Sequence, residues 1–272
     1  MKCDANTVTW PEVKQHVQHA KLAILAFGAL EQHGYHLPLS TDTVMASALA
    51  GRLADSLNAL LLPAIPYGEC WNNTGFPGTV SLSASTVEAI VMDIGKGLTN
   101  FGIQALVIVN GHFGNRGPIE LAARQLRDQH DIAVLMLNYP GLEEIANTLC
   151  ESKPAAPGFY HADEVETSVM LTLAPDTVQM NKARAEYPTF PETWGAEAIR
   201  LDAFCTSGVF GDPRPATGDK GAKILDALTS RALSVIQAFL DRQFPASNPL
   251  TGSSQRHLSK THGHSKKRNA RP

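Results

Sequence analysis

The feature that most constrains the fold is a regular alternation of short apolar runs with amphipathic segments. The apolar runs predict buried strands at residues 22–27, 59–65, 105–109 and 132–137. The amphipathic segments predict helices at residues 43–57, 85–100, 117–130, 164–173 and 220–243. Strands that alternate with helices are typical of βαβ units. The sequence therefore predicts an α/β fold with a mainly parallel sheet covered by helices on both faces.

The length of 272 residues fits one large domain, which we expect over residues 1–245. Residues 246–272 are expected to form a disordered basic tail, because they carry no acidic residue and few apolar ones. The beginning of the chain is polar and does not resemble a signal peptide. No apolar run reaches the ~18 residues of a membrane helix. Four cysteines without a C-x-x-C pattern favour a reducing cytoplasm, as buried hydrophobes or free thiols.

The net charge of −3 combines an acidic domain with the basic tail. An acidic domain gives no indication of nucleic-acid binding, and neither nucleic acid nor a membrane is expected as a partner. The tail is interpreted as a solvated extension. The alternative is that its basic residues contact RNA or an anionic surface.

Histidine and acidic residues follow two of the predicted strands. Glu31, His33 and Asp42 come soon after the first strand, and His112 follows the strand at 105–109. Ligands bind beyond the carboxyl ends of strands in parallel sheets, so these side chains are expected to meet and bind divalent metal. The alternative makes Asp42 a helix cap, His33 a turn residue and His112 a core histidine. His36, beside Leu37 and Pro38, is expected to have a packing role.

A third cluster contains His161, Glu164 and Glu166. In a helix, His161 and Glu164 would share a face, and Glu166 would be within reach if the first turn is irregular. These residues are candidates for general acid–base catalysis, and the acids also for metal binding. The alternative is a solvated helix start, where acids favour the helix dipole.

Other enzyme classes lack their motifs in this sequence. It contains no Gly-x-Ser-x-Gly elbow, no phosphate-binding P-loop and no Gly-x-Gly-x-x-Gly fingerprint. The turn-rich segment 71–82 is a candidate pocket lining, or an ordinary surface loop. Residues 175–218 are rich in Pro and Gly and are expected to form a long functional loop.

Taken in order, these motifs resemble the creatininase (creatinine amidohydrolase) family over residues 10–243. The matching blocks are Gly-Ala-Leu-Glu-Gln-His-Gly at 28–34 with His-Leu-Pro-Leu at 36–39 and Thr-Asp at 41–42, Phe-Pro-Gly-Thr at 76–79, Asn-Gly-His at 110–112 with Asn115, His161 with Glu-Thr-Ser at 166–168, and residues 208–221. The resemblance implies a three-layer α/β/α sandwich, often a homohexamer, that hydrolyses amide C–N bonds with two metal ions.

The resemblance also assigns residues. Glu31 and His112 would hold one ion and His33 the other, Asp42 would bridge both, and His161 and Glu166 would line the active site. Creatininase has a glutamate ligand where this chain has Gly114, and Glu166 is our candidate replacement. It also has a Trp-lined pocket where this chain has residues 157–160. Both departures argue against creatinine as the substrate.

Together with this resemblance, the sequence predicts a cytoplasmic metallohydrolase acting on a C–N bond of a small-molecule amide, a cyclic amide or a formamide, through a metal-bridging hydroxide. The resemblance alone implies a homo-oligomer. His161, Glu164 and Glu166 are the candidate proton-transfer groups. The predicted metal ligands are Glu31, His33, Asp42, His112 and Glu166. A set of N and O ligands without thiolate suits two divalent ions, Zn²⁺, Mn²⁺ or Fe²⁺. The alternatives are a peptidase of the same family that processes a peptide cofactor precursor, and a non-catalytic metal-binding protein.

Overall fold

The computed structural model describes residues 3–245 and contains a parallel sheet with the strand order β1-β3-β2-β4-β5. The strands are β1 (Cys3–Asp4), β2 (Leu22–Phe27), β3 (Leu60–Leu61), β4 (Ala105–Asn110) and β5 (Ala133–Leu137). The helices are α1 (Trp10–His16), α2 (Thr41–Leu57), α3 (Ala84–Thr99), α4 (Arg116–His130), α5 (Leu142–Leu149), α6 (Glu164–Leu173) and α7 (Gly218–Gln243). Every strand pair in this sheet is parallel.

Helices cover both faces of the sheet, which confirms the predicted three-layer sandwich. Alternate residues of a strand point to opposite faces. Accordingly, Ile24 and Val107 pack with α2 and α7, while Leu25 and Ile108 pack with α3 and α4. Strands β2 and β4 are buried on both faces, which explains why their sequences are continuous apolar runs.

A second group of contacts attaches α5 and α6 to the sandwich through α7 and Leu37. Beside it, Phe159 and Phe210 pack with side chains of the long loop after α6. That loop contains several short 3₁₀ turns, and its aromatic residues form T-shaped and tilted ring contacts. The contacts hold the segment before α6, which contains His161, against the main domain.

Several elements differ from the sequence-based prediction. The strand predicted at 59–65 is regular only at Leu60–Leu61 and then touches β2 again at Ile65. Pro63 interrupts it, because proline has no N–H for the ladder. Helix α2 begins at Thr41, so Asp42 lies in its first turn rather than before it. The short elements β1, α1 and α5 were not predicted.

Within residues 3–245, no helix is long and apolar enough to cross a membrane. The basic segment 246–272 lies outside the described residues, so its disorder and the domain boundary at 245 stay predictions. The four cysteines are free.

Candidate metal centre

The carboxyl ends of β2 and β4 bring the first two His/acid clusters together. Phe27 and Asn110, the last residues of the two strands, are paired in the sheet. Gly111 then turns the chain against the start of α2, where a Cβ atom would lie 2.5 Å from the Asp42 carbonyl oxygen. Only a glycine fits this approach. The contact places His112 beside the first turn of α2, next to Asp42.

His112 meets two carboxylates in the interior of the protein. Its Nδ1 atom lies 3.0 Å from Glu31 Oε1 and 3.3 Å from Asp42 Oδ2. Its Nε2 atom donates a hydrogen bond to the Glu69 carbonyl oxygen at 2.8 Å. Because a carbonyl only accepts, this bond assigns a hydrogen to Nε2, so Nδ1 is the ring nitrogen that would bind an ion after losing its proton. The resulting tautomer, with its hydrogen on Nε2, is the one that a metal-binding histidine requires.

His33 faces the same aspartate from the other side. Its Nε2 atom lies 3.1 Å from Asp42 Oδ1 and 3.6 Å from Glu166 Oε2. The Nδ1 atom donates to the carbonyl oxygen of Glu31 at 3.2 Å, so Nε2 is the ring nitrogen that would bind an ion after losing its proton. Asp42 therefore presents one carboxylate oxygen to each histidine. Each residue of this cluster is at most 9% exposed: Glu31, His33, Asp42, His112 and Glu166.

The backbone before α6 holds Glu166 in this position. Asp163 caps the helix by accepting hydrogen bonds from the backbone N–H groups of Val165 and Glu166. Ala162 donates its own N–H to Glu166 Oε2 at 2.6 Å. Helix α6 begins at Glu164, so His161 precedes the helix and does not share a helix face with Glu164, contrary to the prediction. Ala162, in a left-handed conformation, turns the chain between His161 and the helix.

The crowded charges shift the pKa values of the cluster. Burial lowers the pKa of His33, but the carboxylates of Asp42 and Glu166 outweigh it and raise the pKa to about 10. Burial raises the pKa of Glu166 to about 8 despite the attraction of His33. Burial disfavours the charged form of Asp42, but the two histidines hold its pKa well below the usual range. The carboxylates of this cluster thus favour positive charge on the groups between them.

His161 lies next to the two histidines but has a different tautomer. The Gln32 amide nitrogen donates to His161 Nε2 at 2.7 Å, and Gln32 Oε1 accepts from the Gly34 N–H, which fixes the amide orientation. The hydrogen of neutral His161 is therefore on Nδ1, 3.7 Å from Glu31 Oε1. Burial and the neighbouring His33 lower the pKa of His161 well below its usual value. A protonated Nδ1 donates hydrogen bonds and does not bind metal.

Glu164 points away from the cluster. Its carboxylate accepts hydrogen bonds from the backbone N–H groups of Glu151 and Ser152 and from Lys220 Nζ at 2.6 Å. The residue is buried, so these bonds replace its hydration. This geometry favours a structural role that joins α6 to α7. His36 likewise lies apart from the ligands, hydrogen-bonded to Thr167 at 2.8 Å.

We expect Glu164→Gln to lower the free energy of unfolding by about 2 kcal/mol, because a buried charged acceptor is lost. Burial raises the pKa of Glu164, but Lys220 and backbone donors outweigh it and lower the pKa below its ordinary value of 4.5. The stabilisation by the charged Glu164 carboxylate is therefore complete above about pH 4.5. It is lost as the pH falls through the lowered pKa of Glu164. Chemical denaturation at several pH values measures it. Unchanged stability with lost turnover would contradict the structural role.

A cavity of about 830 Å³ opens beside the cluster. Glu31, His112, His161 and Glu166 are part of its wall. Asn72 and Asn73 line it too, as expected for a pocket segment, and Asn73 donates to Glu31 Oε2 at 2.6 Å. The space beside Gly114 and Tyr160, where the sequence departs from creatininase, belongs to the same cavity.

The structure also brings in a residue that sequence reasoning missed. Cys70 lies with Glu31 and His112 so that one potential ligand atom of each is within 4.8 Å of the others. Two more such groups combine His33 with Asp42 and Glu166, and His33 with Glu31 and His161. The only sequence signal for Cys70 is its position in a turn after the strand at 60–61.

A parallel α/β/α sandwich with a buried His/carboxylate cluster beyond its strand ends defines an α/β protein with a candidate metal centre. The chain belongs to the creatininase family, because the family model described as creatinine amidohydrolase matches residues 6–236. This match confirms the predicted family. It also confirms the prediction of a hydrolase that acts on amide C–N bonds.

Individual relatives agree with this assignment. The creatinine amidohydrolase of Pseudomonas putida is 31% identical over 239 residues, which cover 80% of this chain and 90% of the relative. The mycofactocin precursor peptide peptidase of Mycolicibacterium smegmatis is 32% identical over 216 residues, or 75% of this chain and 79% of the relative. A glutamate-to-glutamine variant of creatininase, of Zn–Zn type, superposes with a TM-score of 0.78 at 28% identity, covering 90% of this chain and 99% of that one.

Proposed function

We propose that this chain is a two-metal amidohydrolase in which Asp42 bridges the ions. The observation that carries the proposal is the position of the Asp42 carboxylate between His33 and His112, with one oxygen toward each. Asp42 Oδ2 is buried and has no hydrogen-bond partner among the described residues. A buried carboxylate oxygen without a partner is costly unless a cation compensates it. The similarity to a Zn–Zn creatininase supports the same conclusion.

The available ligands fit two sites. Glu31 and His112 would hold one ion, and His33 and Glu166 the other. In both histidines the nitrogen nearest the carboxylates would bind an ion in its unprotonated form, and the other ring nitrogen donates to a backbone carbonyl. Bound divalent ions would supply a water with a pKa near neutrality and a Lewis acid for the amide carbonyl.

The neighbouring side chains would then do the remaining chemistry. His161, kept neutral and protonated at Nδ1 through Gln32, would donate a hydrogen bond to the carbonyl oxygen as it gains negative charge. Glu166 also lines the cavity, and its carboxyl group would carry a proton toward the leaving nitrogen. Glu164 is left out of this mechanism, because its carboxylate is engaged by Lys220 and the backbone.

We propose a small-molecule amide, a cyclic amide or a formamide, as the substrate. A peptide is the second candidate, favoured by the similarity to a mycofactocin precursor peptide peptidase. The cavity has a volume of about 830 Å³. A cavity of this volume lies in the range of sites for drug-sized ligands, so it accommodates either class. The metal identity, the cytoplasmic location and the homo-oligomer, a hexamer by family resemblance, stay predictions.

A substrate panel tests the proposal. The purified protein, loaded with Zn²⁺ or Mn²⁺, is incubated with cyclic amides, N-formyl amines and short peptides, and the products are identified by mass spectrometry. We expect hydrolysis of one class, which stops after chelation and returns when metal is added. A protein that holds two ions and hydrolyses no member would instead favour the non-catalytic alternative.

A further inference from the structure

Cys70 is buried at the edge of the candidate metal centre. It is 1% exposed, and its Sγ atom, a carboxylate oxygen of Glu31 and a ring nitrogen of His112 lie within 4.8 Å of one another. The unpartnered Asp42 Oδ2 lies 3.3 Å from the same histidine. The thiol therefore belongs to a three-residue group with Glu31 and His112, the proposed ligands of one ion, and Asp42 contacts the same histidine.

Long-range hydrogen bonds hold the turn that carries this thiol. The backbone N–H of Cys70 donates to Ser81 Oγ at 2.8 Å, and that of Glu69 donates to Asn115 Oδ1 at 2.9 Å. The Glu69 carbonyl oxygen accepts from His112 Nε2. The thiol and the imidazole are thus fixed by the same turn, so the position of one determines that of the other.

Gly114 provides the room for this turn. A Cβ atom at Gly114 would lie 2.0 Å from the Glu69 carbonyl oxygen and 2.8 Å from His112 Nε2. Any side chain there would displace the Glu69 carbonyl and break its bond to His112. The turn that brings Cys70 close to His112 therefore fits only because Gly114 has no side chain.

The four side chains make a ligand set of intermediate softness. Thiolate and imidazole favour Zn²⁺, whereas carboxylate and water suit Mn²⁺. The second proposed site, formed by His33, Asp42 and Glu166, contains no sulfur among its grouped ligands. The two positions thus differ in chemistry, although they share Asp42.

We propose that Cys70 is a thiolate ligand of the ion held by Glu31 and His112, and that it makes this position select Zn²⁺ over Mn²⁺. The inference rests on the proposed function, because it needs the ion that Asp42 shares. On binding, the Sγ–H bond breaks, the sulfur donates an electron pair to the ion, and one proton is released to solvent. Glu166 then completes the other position rather than this one.

Titration with Co²⁺ tests the proposal without measuring turnover. Thiolate bound to Co²⁺ gives an intense near-ultraviolet charge-transfer band, which oxygen and nitrogen ligands do not give. Metal-stripped protein, kept reduced, is expected to develop this band with one of two bound equivalents. Cys70→Ser should bind Co²⁺ without the band. Cys205→Ser is the matched control, because Cys205 is also buried but its thiol donates to the Val209 carbonyl oxygen.

Competition between Zn²⁺ and Mn²⁺ gives a second readout. Replacing even an indirect partner of a metal costs about 10- to 100-fold in affinity, so the loss of a direct ligand should lower the Zn²⁺ preference of Cys70→Ser at least about tenfold. Two bound Co²⁺ ions without the band in the unmodified protein would overturn the role of Cys70 and leave the two-metal proposal intact. A band that persists in Cys70→Ser would also overturn it. Failure of the unmodified protein to bind Co²⁺ would overturn the proposed function itself.

Discussion

Asp42→Ala is expected to release both metal ions and to lower kcat/KM by at least about three orders of magnitude. The metals are expected to supply several kcal/mol of transition-state stabilisation, and about 4 kcal/mol corresponds to about 1,000-fold in rate. Asp42 presents one carboxylate oxygen to His33 and the other to His112, so its loss should empty both positions rather than one.

The control for Asp42→Ala is a variant of a carboxylate that lies outside the candidate metal centre. Asp226→Ala is a suitable control, because Asp226 is exposed on α7 and pairs with Arg52 at the surface. It should keep its metal content and its turnover, since surface ion pairs contribute little. Metal content is measured after dialysis, and turnover on whichever substrate the panel identifies. Asp42→Ala with two bound ions and unchanged turnover would disprove the bridging role.

His161→Ala is expected to lower kcat by about 10²- to 10³-fold, the cost of losing one hydrogen-bond donor to a developing oxyanion. Metal content should stay the same, because Nδ1 of His161 carries the hydrogen and has no lone pair for an ion. Metal analysis with steady-state kinetics separates this role from that of a ligand. Loss of an ion from His161→Ala would show that the residue binds metal instead.

Gln32 offers a second variant for the same role. Gln32→Leu removes the donor that holds His161 Nε2, so both tautomers of His161 become available. We expect a smaller loss of kcat than in His161→Ala. The double variant should be no slower than His161→Ala, because Gln32 acts through His161. Additive losses would contradict that coupling.

Most of the fold and the grouping of the candidate ligands are predictable because they depend on local patterns. The runs at Leu22–Phe27 and Ala105–Asn110 are apolar throughout, since helices cover both faces of the strands. Their carboxyl ends are neighbours in the sheet, so residues that follow them were bound to lie close together. The sequence alone therefore predicts that Glu31, His33 and His112 lie close together.

The remaining features depend on contacts that local patterns do not encode. Cys70 reaches His112 only because its turn is bonded to Ser81 and Asn115. The carboxylate of Glu164 could equally have faced the cluster, and its direction is set by Lys220, 56 residues later. The two-residue strand at Cys3–Asp4 and the helix of seven residues at Trp10–His16 are too short for a periodic signal.

Counting the metal ions that the protein binds is the most direct test of the central claim. Metal-stripped protein is titrated with Zn²⁺ while bound metal and turnover are followed together, for the unmodified chain and for Asp42→Ala. The two-metal account predicts two equivalents per chain for the unmodified protein, with turnover rising as they bind, and none retained by Asp42→Ala. A single equivalent that gives full turnover, or full turnover by the stripped protein, would contradict it.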